Sequence, residues 1–215
     1  MALPLLLGHR GAGASAGIAE NTFASFDLAL QHGCDGFEFD VRQAACGTAL
    51  VCHDPKVDGI AVARAQARRL PQLPRLDEVI HRYGRRCFLD IELKVEDLES
   101  KVLAALSDCP PAQDYVVSSF IPDVVMDLEA RSSSVCIGLI CETGAQLARW
   151  RELPVDCVIP HQSLVNRLLV QDIQRAGCRI FVWTVNDQEA MRRLADWGVD
   201  GIISDETELL VCTLK

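Results

Sequence analysis

The stretch GFEFDV at residues 36–41 carries the clearest indication of the fold. Successive side chains of a β-strand point to opposite faces, so Glu38 and Asp40 share one face, opposite two phenylalanines and a valine. The apolar neighbours predict a buried strand, where two ionised carboxylates are costly without a cation or a proton. A hard divalent cation with oxygen ligands meets this need. We therefore predict a buried strand that presents a metal site, with a solvated strand edge as the alternative.

Similar short apolar runs recur along the chain and predict further buried strands. They are continuous rather than alternating, as in parallel sheets covered on both faces. Helical patterns lie between them, and three of these patterns end close to a glycine, which is typical of a helix C-cap. The predicted strands cover residues 3–8, 36–41, 49–53, 87–93, 115–119, 135–140, 156–159, 179–185 and 201–204, and the predicted helices cover residues 22–31, 95–106, 122–131, 164–176 and 187–197.

This alternation predicts an α/β fold, a single-domain TIM (β/α)8 barrel. Eight units fit if 36–41 and 49–53 belong to one strand region with its excursion, and 215 residues divided among eight units give about 27 each, which is compact but feasible. A doubly wound open sheet is the alternative. The barrel is favoured because the polar residues fall at the carboxyl ends of the strands, which would form one rim.

Composition excludes several classes of protein. With 49% hydrophobic and 24% charged residues the chain is an ordinary globular sequence. Its net charge of −9 argues against a nucleic-acid groove, which needs clustered Lys and Arg. No apolar run reaches the ~18 residues of a membrane span, so we expect no stable membrane insertion. The first nine residues lack a basic region and contain Pro4, which argues against a signal peptide.

Ten cysteines are scattered along the chain without a Cys-x-x-Cys pair. Most lie in apolar runs, so we interpret them as small buried hydrophobic residues and not as disulfide partners or zinc ligands. This use of cysteine is typical of a reducing compartment, and we expect a cytoplasmic protein.

Two histidines end apolar runs and are candidates for acid–base chemistry. The stretch GHRG at 8–11 places His9 and Arg10 at the predicted rim, and its glycines let the backbone approach a ligand. His53 ends the run 49–53 in the same way. A lone histidine is more often structural, but two at strand ends beside a carboxylate cluster favour proton transfer.

The stretch FLDIELK at residues 88–94 repeats the pattern of residues 36–41. Asp90, Glu92 and Lys94 share one strand face. Glu92 is a candidate third ligand, Lys94 could face an anionic oxygen, and the deeper Asp90 could support the site. A structural ion-pair ladder is the alternative for Asp90 and Lys94. The stretch ENT at 20–22 is a weak signal when taken alone, because Asn21 or Thr22 could simply cap the next helix.

A divalent cation, two imidazoles, an Arg and a Lys at one rim suit phosphoryl chemistry. The chain has no Gly-x-Gly-x-x-Gly after its first strand, no phosphate-binding Gly-x-x-x-x-Gly-Lys-Ser/Thr loop and no Gly-x-Ser-x-Gly elbow. These absences argue against hydride transfer, an NTPase and a serine hydrolase.

Taken in order, these motifs resemble those of the glycerophosphodiester phosphodiesterase family. The shared motifs are HRG (9–11), ENT (20–22), ExD (38–40), HDP (53–55), ExK (92–94), SSF (118–120), VWTVN (182–186) and GIISD (201–205). Any one of them is weak, but the ordered set is specific and covers nearly the whole chain.

The resemblance implies a TIM barrel that uses Mg²⁺ or Ca²⁺ to hydrolyse glycerophosphodiesters to sn-glycerol 3-phosphate and an alcohol. It implies a role for nine residues: Glu38, Asp40 and Glu92 as metal ligands, His9 and His53 as the general acid and base, Arg10 and Lys94 as phosphate contacts, and Phe120 and Trp183 as an apolar wall of the substrate pocket, with barrel core as the alternative for Phe120. The order of acid and base, the nucleophile (water or the glycerol hydroxyl) and the oligomeric state stay open.

The sequence departs from the family pattern at two places. Ala19 stands where the family usually has Pro, which affects a loop rather than the chemistry. The segment after HDP is short, so we expect one domain over residues 1–215 with a shortened insertion at about 54–76, an open alcohol side and a broad headgroup preference. The alternatives are a related barrel that cleaves lysophospholipids or releases a cyclic phosphate, and a non-catalytic anion-binding barrel.

Overall fold

Eight parallel strands close into a barrel in the computed structural model, which describes residues 3–13 and 17–215. The barrel strands are β1 (Leu5–Gly8), β2 (Gly36–Gln43), β6 (Phe88–Leu93), β7 (Tyr115–Ser119), β8 (Ile137–Cys141), β9 (Cys157–Pro160), β10 (Arg179–Val182) and β11 (Gly201–Ser204). The first strand pairs with both β2 and β11, and this closes the sheet. The predicted α/β barrel is confirmed, and the open sheet is excluded.

Helices alternate with these strands and cover the barrel. They are α1 (Phe23–His32), α2 (Leu76–Tyr83), α3 (Glu99–Asp108), α4 (Pro122–Arg131), α5 (Gly144–Ala148), α6 (Arg167–Arg175), α7 (Gln188–Trp197) and α8 (Thr207–Leu214). The sequence patterns predicted five of them and not α2, α5 or α8. The shortest, α5, has only five residues, too few for a helical period, and is fixed by a capping box between Thr143 and Gln146.

The predicted strand at 49–53 lies outside the barrel. It is the short β3 (Ala49–Val51), which pairs with β2 in the antiparallel sense. A small hairpin of β4 (Lys56–Val57) and β5 (Ile60–Ala61) follows, and then two 3-10 turns. Leu50, Val62 and Leu70 belong to a small buried cluster that packs this excursion together.

The faces of the barrel strands divide as the alternation in the sequence predicts. Phe37 and Phe39 point outward into the core between sheet and helices, where Phe37 stacks on Phe26 with ring centroids 4.2 Å apart. Inside the barrel an apolar cluster includes Phe88 and Phe181. The acidic side chains of β2 and β6 share this inner face and therefore come together within the barrel.

The ten cysteines are all free. Five of them are buried, as expected, but Cys46 and Cys212 are exposed. Within the described residues, no helix has both the length and the apolar character needed to cross a bilayer. The first two residues of the amino-terminal stretch considered above lie outside the described part of the chain.

Candidate active site

Three carboxylates meet inside the barrel near its carboxyl end. Glu38 and Asp40 come from β2 and Glu92 from β6, and the parallel register places Asp40 beside Glu92. One oxygen from each residue lies within 4.8 Å of the others, and all three side chains are buried. The structure thus brings together the three predicted ligands.

The stretch at 20–22 supports this cluster instead of only capping α1. Thr22 is the cap and accepts a hydrogen bond from Ser25 N (3.2 Å). Asn21, with a left-handed φ of 56°, donates from Nδ2 to Asp40 Oδ2 (2.8 Å) and accepts from Asp40 N (3.2 Å). Asn21 therefore holds Asp40, while its neighbour Thr22 caps the helix.

Two cationic side chains partly neutralise the carboxylates. Lys94 Nζ lies 2.6 Å from Glu92 Oε1 and 3.3 Å from Asp40 Oδ1. Arg10 Nε lies 3.4 Å from Asp40 Oδ2, and Arg10 Nη1 donates to both oxygens of Glu20 (3.0 Å). Arg10 has a φ of 53°, uncommon for a non-glycine residue, and its backbone N–H donates to Glu38 Oε2 (2.9 Å).

The carboxylates remain electrostatically strained despite these cations. Burial and the negative charge of Asp40 raise the pKa of Glu38 well above its usual value and that of Glu92 to about 8. The pKa of Asp40 is lowered, because Lys94 and Arg10 outweigh the effect of its burial. Among the described residues, Glu38 Oε1 has no hydrogen-bond partner. A buried cluster of oxygen ligands with an unsatisfied atom fits a hard divalent cation.

Asp90 lies next to Glu38 in the register of β2 and β6. It is fully buried and accepts a hydrogen bond from Ser118 Oγ (2.6 Å). Burial raises the pKa of Asp90 to about 7. Asp90 is therefore held by a neutral hydroxyl, whereas Lys94 pairs with Glu92 and Asp40, so the two residues do not form the simple ion-pair ladder considered above.

His9 follows β1 and is held by the opposite end of the chain. Its Nδ1 lies 2.6 Å from Asp205 Oδ1, and Asn186 Nδ2 donates to Asp205 Oδ2 (2.7 Å). Burial opposes ionisation of Asp205, but hydrogen bonds from His9 and Asn186 outweigh it and lower its pKa. His9 Nε2 lies 3.9 Å from Glu38 Oε2. Sequence reasoning assigned no role in the site to Asp205 or Asn186, although both lie in quoted motifs.

His53 lies on the turn after β3. Its Nδ1 is 2.9 Å from Asp54 Oδ1, and the Asp54 side chain is 71% exposed, against 26% for that of Asp205. The two imidazoles thus have the same kind of partner in different surroundings: one partner is half-buried and held by Asn186, and the other is in solvent.

A cavity of about 460 Å³ joins these groups. Its charged and polar side includes both imidazoles, and its apolar side includes Phe120 and Trp183, whose rings meet edge to face with centroids 5.5 Å apart. Trp183 Nε1 donates to Ile159 O (3.0 Å), which fixes the indole. Eight of the nine residues implied by the resemblance line this cavity; the ninth, Asp40, lies buried behind it.

Comparison with known proteins shows what this arrangement is similar to. The sequence model of the glycerophosphoryl diester phosphodiesterase family matches residues 9–85 and 78–209. A glycerophosphodiester phosphodiesterase of Caldanaerobacter subterraneus subsp. tengcongensis is 29% identical over a 237-residue alignment that covers 96% of each chain. A glycerophosphodiester phosphodiesterase of Bacillus subtilis is 26% identical and matches 95% of this chain and 84% of its own length.

Solved structures agree in fold. The glycerophosphodiester phosphodiesterase of Thermotoga maritima superposes with a TM-score of 0.85 at 24% identity, covering 99% of each chain. A phosphodiesterase of Oleispira antarctica, solved in complex with the product sn-glycerol-3-phosphate, gives a TM-score of 0.82 at 27% identity and covers 98% of this chain and 96% of its own.

Proposed function

The chain belongs to the glycerophosphoryl diester phosphodiesterase family, and from this premise we propose how its residues carry out the reaction. It is a phosphoric diester hydrolase that acts on glycerophosphodiesters, small-molecule substrates. The product is sn-glycerol 3-phosphate together with an alcohol, and the Oleispira antarctica relative was solved with that phosphate bound. The observation that carries the proposal is the shared cavity, which holds two imidazoles beside a buried carboxylate cluster.

Enzymes of this family depend on a metal, and in this chain Glu38, Asp40 and Glu92 would hold the ion. The unpartnered Glu38 Oε1 and the raised pKa of Glu38 and Glu92 support this assignment. The donor set is all carboxylate oxygen, which suits Mg²⁺ or Ca²⁺. When bound, the ion would neutralise charge on a phosphoryl oxygen. Arg10 and Lys94 line the same cavity and add positive charge for the other phosphate oxygens.

His9 and His53 are the proposed acid–base pair. Hydrolysis requires that one proton leave the nucleophile and that one reach the oxygen of the departing alcohol. Asp205 accepts from His9 Nδ1, which selects the tautomer with Nε2 unprotonated and stabilises the imidazolium once Nε2 takes a proton. Asp54 offers His53 a similar but exposed partner.

The apolar wall and the segment after β3 face the part of the substrate that leaves as the alcohol in this proposal. Phe120 and Trp183 would give the non-phosphate part of the substrate an apolar surface. We propose that the segment at about 54–76 is a shortened insertion of a single domain that leaves the alcohol side open. Comparable turnover of several headgroups would support this, and strong selectivity for one would contradict it. The five buried free thiols support work in a reducing compartment such as the cytoplasm.

The direct test follows the products of glycerophosphocholine hydrolysis by ³¹P NMR. We expect sn-glycerol 3-phosphate, loss of activity with EDTA and recovery with Mg²⁺ or Ca²⁺. His9→Ala and His53→Ala should each lower the rate by about 10²–10⁴-fold, the usual share of a general acid or base. His81→Ala, at an exposed histidine of α2, is the matched control.

Other results would redirect or contradict the proposal. A cyclic phosphate product, or turnover of lysophospholipids alone, would identify one of the related barrel reactions. Wild-type rates in either active-site histidine variant would contradict the assigned acid–base pair, and ligand binding without turnover would indicate an anion-binding barrel.

A further inference from the structure

His53 depends on its backbone for its position. The ladder of β3 with β2 ends at Val51, and Cys52 N still donates to Asp40 O (3.0 Å). Beyond this point the imidazole contacts Asp54, whose side chain is largely exposed. A contact with a solvated carboxylate contributes little, because water and salt screen it. The contacts that hold the turn therefore decide where the imidazole lies.

One side chain of β2 reaches that turn. Arg42 Nε donates to His53 O over 2.6 Å, and the arginine is half-buried. A hydrogen bond from an ionised donor is roughly twice as strong as a neutral one. Arg42 stands two residues after Asp40 and so shares its strand face. A single strand thus carries a proposed metal ligand and the side chain that fixes His53.

Arg42 differs from the two cations proposed to contact phosphate. Arg10 and Lys94 line the 460 Å³ cavity, whereas Arg42 lines a neighbouring cavity of about 300 Å³ with Pro55 and Glu96. Its guanidinium therefore contacts the turn from outside the 460 Å³ cavity, where the substrate would bind.

We propose that Arg42 is a positioning residue that sets the distance between the His53 imidazole and the carboxylate cluster. This inference rests on the proposed function, in which His53 transfers a proton. Arg42 acts through a main-chain carbonyl, so the effect requires neither contact with the substrate nor a change in the charge of the imidazole.

Removal of the guanidinium should affect turnover more than binding. A misplacement of about 1 Å in a catalytic group can cost 10²-fold in rate. We expect Arg42→Ala to lower kcat by about 10–100-fold while KM changes much less. Arg42→Lys keeps a charged donor and should recover a large part of the loss. Arg64→Ala is the control, because Arg64 is exposed and has no salt bridge within the described part of the chain.

A double-mutant cycle tests the mechanism of this effect. Rates are measured with glycerophosphocholine and saturating divalent cation for wild type, Arg42→Ala, His53→Ala and the double variant. The double variant should be no slower than His53→Ala, because no imidazole remains to be placed. Mn²⁺ affinity of Arg42→Ala should equal that of wild type. Thermal unfolding checks the fold. If the alanine variant unfolds, Arg42→Met, alone and with His53→Ala, carries the test, because it keeps the aliphatic stem and removes the donor to His53 O.

The possible contradictions are distinguishable. Multiplicative losses in the double variant, or weaker Mn²⁺ binding by Arg42→Ala, would show that Arg42 acts elsewhere and would overturn the inference alone. Wild-type rates in His53→Ala would overturn the proposed function and this inference with it.

Discussion

Replacement of Asp205 by Asn tests the support of His9 without removing the imidazole. Asp205 Oδ1 is 2.6 Å from His9 Nδ1, and Oδ2 accepts from Asn186. An amide has only one oxygen, so its NH2 must face one of these partners. If the NH2 faces His9, it donates to Nδ1, and the imidazole proton must then lie on Nε2. If the NH2 faces Asn186, it meets the NH2 of that residue, and neither group can accept the hydrogen bond.

The magnitude follows from the bond that is lost. A hydrogen bond to a charged group contributes about 1.5–3 kcal/mol. At roughly 1.4 kcal/mol for each tenfold change in rate, Asp205→Asn should lower kcat by roughly 10–150-fold. The change in KM should be smaller, because Asp205 is not among the residues that line the cavity.

The assay is steady-state release of sn-glycerol 3-phosphate at saturating metal, with thermal unfolding to confirm the fold. Asp108→Asn, at an exposed aspartate near the end of α3, is the matched control and should have the kcat of wild type. An unchanged kcat in Asp205→Asn, or a loss confined to KM, would refute the role assigned to this carboxylate.

Three further predictions concern the carboxylate cluster and the barrel interior. Asn21→Ala removes the 2.8 Å hydrogen bond to Asp40 and should weaken divalent-ion binding by about 10–100-fold, measured by calorimetry; an unchanged affinity would contradict it. The pKa of Glu92, about 8 in the folded ion-free chain against 4.5 normally, means that the folded state binds more protons, so the free energy of unfolding should fall as pH rises from about 5 to 8. Saturating Mg²⁺ or Ca²⁺ should remove most of this loss, and an equal decline with and without ion would count against the site. Gly138→Ala places a Cβ 2.9 Å from Ile159 Cδ1 inside the barrel and should cost about 1–3 kcal/mol in urea unfolding, whereas wild-type stability would show that the interior can adjust.

The succession of strands and helices, with polar residues at the strand ends, was enough to predict the barrel. The alternation of side chains within each strand was enough to predict the carboxylate cluster. A strand period of two is strict, so Glu38 and Asp40 had to share a face, and the same rule placed Glu92. The carboxyl ends of parallel strands meet at one rim, so the sequence alone groups His9 with these carboxylates.

Other features depend on contacts that a local pattern does not contain. The apolar run 49–53 is equally compatible with a barrel strand and with a hairpin partner of the preceding strand. Only its antiparallel pairing with β2 shows that it is the hairpin partner. Asn21 and Thr22 are both good helix caps, so composition could not show which of them holds Asp40. Asp205 reaches His9 across 196 positions in sequence, a contact created by closure of the barrel.

The most direct test of the account is a calorimetric titration of the ion-free chain with Ca²⁺ or Mg²⁺, compared with Glu38→Gln. We predict one ion per wild-type chain and an affinity at least about 10-fold weaker in the variant, because a cluster of three buried carboxylates would lose one anionic ligand. The absence of binding to the wild-type chain, or undiminished affinity in Glu38→Gln, would contradict the assignment of these carboxylates as the metal site.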